Sequence, residues 1–211
     1  MADKTVFTIG HSTHEIEYFI DLLNKFDINC VIDVRSSPYS RIAPQFNKPT
    51  LNSTLRENNI IYMHFEKEFG ARHTKPSLLD EDGNVDFDKV RETDEFKQGV
   101  QRLKNGLDRG YKIALMCSEA NPFDCHRFSM ISYQLVREGM YVNHILQNGN
   151  SIDNSELEDW LLKKYHRQLL PQSTFFEVVT RETQIEDAYR LRGKDVAFSA
   201  LKAYQEEPAG S

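Results

Sequence analysis

A chain of 211 residues with 39% hydrophobic and 27% charged side chains can bury a core without disulfides or metals, so it needs neither to fold. The formal net charge of −6 argues against indiscriminate nucleic-acid binding through bulk charge and leaves room only for a local basic patch. Three scattered cysteines imply no disulfide framework, and no apolar run nears the ~20 residues that span a bilayer. A reducing compartment follows, and the residues after Met1 lack the basic-then-apolar run of a signal peptide. The expected location is the cytoplasm, with no membrane partner.

Residues 5–9 form a short β-branched and aromatic run stopped by Gly10. Ser12 and Glu15 then have the spacing of a capping box, and Ile16, Phe19, Ile20, Leu23 and Phe26 mark one helix face. A second strand over 30–34 is apolar apart from Asp33, as suits a strand covered on both faces. An irregular loop through Arg35, Pro38 and Arg41 leads to a helix around Leu51 and Leu55, then to a third strand over 60–65. The polar connection that follows, with Gly70, Arg72, Pro76 and an Asp82-Gly83 turn, is long enough to read as a functional loop, and Glu66 to Glu68 as its solvated edge. Residues 94–109 are helical with Gly110 at the end; strands over 111–116 and 141–146 bracket a helix ending at Gly139.

This alternation predicts an α/β fold: a mostly parallel five-stranded sheet with helices on both faces, over residues 1–150. Residues 151–211 read as a helical C-terminal appendage, with Leu157, Trp160, Leu161 and Tyr165 on a helix that Pro171 ends. A polar segment over 175–204 and a disordered tail over 206–211 complete the expectation.

The chain is organised around residues 114–127, where an apolar strand runs into Cys117, a polar turn follows, and a helix begins at Cys125-His126-Arg127 with Asp124 as its N-cap. In an open parallel sheet, ligands bind outside the carboxyl ends of the strands. Those ends here release His11, Asp33, Arg35, Arg72, Cys117, Glu119, Cys125, His126 and Arg127, which the topology brings to one rim.

The segments 8–12, Asp33-Val-Arg35 with Pro38 and Ser40-Arg41, Gly70-Ala-Arg72, and Cys117-Ser-Glu119 through Cys125-His126-Arg127 resemble the bacterial domain-of-unknown-function family 488, over about residues 5–146. The resemblance implies that these segments share one site, and it names no chemistry. A looser likeness to rhodanese domains lies in the strand–Cys117–helix layout, although Glu119 and Pro122 replace a glycine-rich loop. The separation of Cys117 from Arg127, and a carboxylate between them, disfavour a phosphatase loop.

Cys117, Glu119 and His126 are the candidate catalytic residues: a thiol activated by imidazole and helix dipole, or a Glu/His acid–base pair. The competing role for Cys117 is a buried strand-end cysteine. His11, Arg35, Arg41, Arg72 and Arg127 are candidate substrate-binding residues, since guanidinium forks match phosphate and carboxylate, unless some of them pair with Asp33, Glu66, Glu68 or Glu119. Asp33, Ser12 and Asp124 have supporting roles. Cys117, Cys125 and His126, with His11 as a further candidate, are the residues that would hold a metal, but adjacent Cys125 and His126 would diverge on a helix. His64, His73 and His144 have structural or solvent-facing roles, and Cys30 belongs to the core. The leading expectation is an enzyme acting on an anionic, nucleotide-like or nucleic-acid-linked substrate. Rhodanese-like sulfur transfer through Cys117 and a non-catalytic nucleic-acid or modified-base binding module are the alternatives.

Overall fold

The computed structural model describes residues 4–171 and 179–201. Thr5–Gly10 (β1), Cys30–Asp33 (β2), Ile61–His64 (β3), Ile113–Cys117 (β4) and Tyr141–Ile145 (β5) form a parallel sheet in the order β3-β2-β4-β1-β5. Every residue of β2 and β4 is buried, which accounts for their apolar runs, interrupted only by Asp33 at the end of β2. The helices are Ile16–Lys25 (α1), Lys48–Glu57 (α2), Glu66–Phe69 (α3), Phe87–Arg91 (α4), Asp94–Asp108 (α5), Tyr133–Arg137 (α6), Asn154–Tyr165 (α7) and Arg181–Val196 (α8).

Phe19, Leu23, Leu51 and Leu55 of α1 and α2 pack with Val31, Ala114 and Met116 on one face of the sheet. Val100, Leu103, Ile131 and Leu135 pack with Ile32 and Leu115 on the other. The helices after β1 and β2 therefore lie on one face and those after β3 and β4 on the opposite one. The adjacent carboxyl ends of β1, β2 and β4 flank a crevice at this reversal, where ligands bind in open α/β sheets.

A sixth strand, Ser151–Asp153 (β6), adds antiparallel to β5, where the start of a helical region was expected. At three residues it is too short to show a period, and the turn before it is set by Gly149 at φ +78°. Asp153 and Glu156 then form a capping box that opens α7. The Ser12–Glu15 box does not form: Glu15 is the N-cap of α1 with no side-chain bond, and Ser12 sits in the left-handed region at φ 49°. Glu66 to Glu68 lies in α3 rather than in a loop; Glu66 and Lys67 are solvent-exposed, and Glu68 pairs with Arg102.

Of the C-terminal expectations, the tail over 206–211 lies outside the described residues, as do 175–178 and 202–204 of the polar segment. α7 and α8 pack Leu157, Leu161, Ala188 and Tyr189 against Phe128, Tyr133 and Ile152. His144, on β5, joins them to the sheet: the Thr8 hydroxyl donates to Nδ1 (2.8 Å), and Nε2 donates to Asn154 Oδ1 (3.1 Å). Asn154 in turn donates to the Tyr189 hydroxyl at 3.0 Å.

Burial holds the fully enclosed His144 ring down to about 3, from an ordinary 6.5. Below pH 6.5 the unfolded chain takes a proton that the folded chain refuses until about pH 3, so stability is lost as pH falls through that window. The contribution of this one ring is about 1.4 kcal/mol per pH unit. Urea titrations should therefore show His144→Gln losing about 2 kcal/mol less than the parent between pH 6.5 and 5. Equal losses in the two proteins would contradict this account.

Candidate functional site

Four strand-end segments are locked together at the crevice. The His11 and Ser12 amides donate to the carbonyls of Cys117 (2.9 Å) and Ser118 (3.0 Å), so the loops after β1 and β4 run side by side. A Cβ on Gly10 would overlap the Glu119 carbonyl, and glycine is what allows this approach. The Ser36 hydroxyl accepts from the Arg72 amide at 3.0 Å and ties the loop after β2 to the one after α3.

Asp33 and Arg35 form a buried, two-pronged ion pair. Arg35 Nε donates to Oδ1 (2.8 Å) and an η-nitrogen to Oδ2 (2.6 Å), while the Tyr62 hydroxyl also donates to Oδ2 (2.8 Å). The same guanidinium reaches the Phe46 carbonyl at 2.8 Å and His11 Nε2 at 3.0 Å. His11 Nδ1 donates to the Ser12 carbonyl (2.7 Å), and the ring stacks on Phe46. Burial, then the charge of Arg35, lowers His11 to about 4, so the ring is neutral at pH 7. Arg35 thus braces the loops with four of its five guanidinium N–H groups, while its side chain also forms part of the crevice wall.

Arg127 is not a ligand-facing residue. It is wholly buried and donates to the carbonyls of Glu119 (2.6 Å) and Ala120 (3.1 Å), fixing the turn after β4 from beneath. It begins a π-helical segment, Arg127–Ser132, in which Ser132 Oγ returns to the Arg127 carbonyl at 2.7 Å.

The helix thus starts later than its sequence implied. Asn121 caps a 3-10 turn over Pro122–Asp124, and Asp124 is not an N-cap; its carboxylate accepts from Asn121 Nδ2 (2.7 Å) and pairs with Arg192 of α8. Cys125 is left extended, at φ −132° and ψ 146°. This corrects the expectation that Cys125 and His126 diverge. Cys117 Sγ, Cys125 Sγ and a His126 ring nitrogen all lie within 4.8 Å of one another. His126 Nδ1 stands 3.9 Å from Cys117 Sγ and 3.7 Å from Cys125 Sγ. A hydrogen bond from Cys125 holds the Cys117 thiol well below its ordinary range, helped against burial by His126 and Arg127. Burial and the neighbouring Cys117 push Cys125 well up. Cys30 is remote in the core and raised to about 11 by burial.

These groups face a pocket of about 790 Å³ lined by His11, Ser12, Arg35, Arg72, Cys117, Glu119, Asp124, Cys125 and His126 among others. The volume falls within the range of small-molecule sites. Arg41 does not line it. Arg72 does, is exposed, and its guanidinium touches Phe198 without pairing to a carboxylate among the described residues. The Glu119 carboxylate has no hydrogen bond or ion pair among the described residues either.

Sequence reasoning missed Ser36, Ser37 and Ser118, which follow directly on the carboxyl ends of β2 and β4, and also Val196 and Phe198 from the C-terminal region. The position of the serines was a usable signal; nothing local marks Val196 or Phe198. His64 and His73 are tied to the Arg35 and Gly70 carbonyls at 2.9 Å each, as structural residues.

The model of the domain of unknown function DUF488 matches residues 15–134, more than half of the chain. The chain belongs to this family. The DUF488 match is narrower than the expected 5–146: it contains Asp33, Arg35, Arg72 and all of residues 114–127, but not His11, β5 or the C-terminal helices. No curated protein and no solved structure matches the chain, and no match carries the likeness to rhodaneses. No helix among the described residues of this DUF488 protein is long and apolar enough to cross a membrane.

Proposed function

We propose that this DUF488 protein is an enzyme acting on an anionic small molecule of about nucleotide size, or on a nucleotide end of a nucleic acid. One observation carries the reading: a Cys-Cys-His cluster, a Glu119 carboxylate with no partner among the described residues and the cation of Arg72 share the walls of a single pocket. Arg72 holds the anion as a charge-assisted donor, with the hydroxyls of Ser36, Ser37 and Ser118 around it. Glu119 moves a proton, and the cluster of Cys117 and His126 provides the reacting centre. Arg35, Asp33 and Arg127 act only by holding the loops. The reading assumes the cytoplasm, where free thiols stay reduced.

The test is calorimetric binding of a nucleoside monophosphate panel against the matching nucleosides, followed by mass spectrometry of the mixtures for product. The monophosphates should bind more tightly than the nucleosides, and Arg72→Ala should remove about 10- to 100-fold of their affinity while leaving the nucleosides unchanged. Glu119→Gln should bind normally and form no product. Equal affinity for nucleoside and monophosphate would sink the anion reading. Unaltered turnover in both Glu119→Gln and Cys117→Ser would sink the assignment of the reacting groups. A sulfur added to Cys117 by thiosulfate would support sulfur transfer instead, and salt-sensitive binding without product from any ligand would support a binding module.

A further inference from the structure

We infer that Cys117, Cys125 and His126 are a binding site for one divalent cation of the zinc class, with its fourth coordination position open to the pocket. The inference deepens the functional reading above in one respect only, that the pocket is where substrate binds.

The geometry is that of a three-ligand site slightly relaxed. A tetrahedral zinc ion with its usual bond lengths separates sulfur from nitrogen, and sulfur from sulfur, by roughly 3.6–3.8 Å. Here the two nitrogen–sulfur separations are 3.9 and 3.7 Å, and no ligand atom is more than 4.8 Å from another. Closure onto a cation needs shifts of a few tenths of an ångström in the first case and at most about 1 Å in the second.

The surroundings are those of a metal centre as well. His126 Nε2 faces the Val34 carbonyl at 3.3 Å, which makes Nε2 the protonated nitrogen and turns the Nδ1 lone pair toward both sulfurs. A backbone carbonyl in this role fixes tautomer and ring orientation in metal-ligating histidines. The Arg127 amide donates to Cys125 Sγ at 3.5 Å and stabilises negative charge on that sulfur. His11 is not a fourth ligand, because its Nε2 is engaged by Arg35 and its Nδ1 by a carbonyl.

Donor type selects the ion. Two thiolates and an imidazole favour zinc-class cations over the hard, oxygen-seeking magnesium and calcium. Cys117 and Cys125 are almost wholly buried, yet all three ligands line the pocket, so a ligand-side approach exists. Three protein ligands with an open fourth position is the arrangement of catalytic rather than structural zinc, and it suits polarising a bound oxygen.

The test uses the full-length protein, stripped with a chelator under reducing conditions and reloaded with zinc or cobalt(II). Elemental analysis should find one equivalent per chain. The cobalt form should show thiolate-to-cobalt charge transfer in the near ultraviolet together with visible ligand-field bands. Cys125→Ser should lose much of the charge-transfer intensity, His126→Ala should weaken binding at least about 100-fold, and Cys30→Ala and Arg72→Ala should change neither. Folded protein that takes up less than about a tenth of an equivalent, or an unchanged cobalt spectrum in Cys125→Ser, would overturn the inference. Nucleotide binding without metal uptake refutes this inference alone, whereas metal uptake without binding of any anion refutes the functional proposal and leaves the metal site standing.

Discussion

Asp33→Asn should cost about 3–5 kcal/mol of stability, because it strands a guanidinium in the interior. Both carboxylate oxygens are used by Arg35, and one of them also accepts from Tyr62. Asparagine offers one acceptor and turns an amide donor toward a donor. Asp33 is fully buried and Arg35 nearly so, so water has little access to the lost bonds. In a chain of this size the cost corresponds to a fall in melting temperature of roughly 6–20 °C. The decisive comparison is Asp33→Leu with Arg35→Met, which removes both charges. It should be more stable than either single variant, since a buried ion pair is worth little against apolar groups of similar volume. A double variant no better than the single ones would show that the pairing is not the source of the loss.

Arg127→Met is the second large effect, at about 2–4 kcal/mol, from leaving the carbonyls of Glu119 and Ala120 without their donors. Its signature differs from that of Asp33→Asn, because the loss centres on one turn. Amide exchange should accelerate at His11 and Ser12, whose bonds to Cys117 and Ser118 depend on where that turn lies. Arg127→Lys should rescue little, as an ammonium lacks the planar fork that reaches two carbonyls at once. Exchange at His11 and Ser12 equal to the parent's would remove Arg127 from its positioning role.

The rim itself was legible. The apolar runs at β2 and β4, and helices alternating with strands, led to parallel strands whose carboxyl ends release His11, Asp33, Arg35, Arg72 and Cys117 side by side. What each arginine does was not legible. Residues two apart on an extended chain point the same way, so Asp33 and Arg35 did carry a local hint of their pairing. Nothing local distinguishes Arg127, whose partners are main-chain carbonyls, from Arg72, which faces the pocket. The pairing of Cys125 with His126 was misjudged because Asp124 fits a helix cap so well, whereas Pro122 closes a 3-10 turn first and leaves Cys125 extended. β6 was too short to announce itself.

The placement of Val196 and Phe198 on the pocket wall has a consequence for the order in which the protein becomes competent. During synthesis the five parallel strands emerge first, and the cysteines and histidine can meet once β4 has docked between β1 and β2. Yet the cavity lacks two of its wall residues until a segment some seventy positions beyond His126 has left the ribosome and settled against it. A nascent chain can therefore assemble the reactive groups well before the wall beside them is complete.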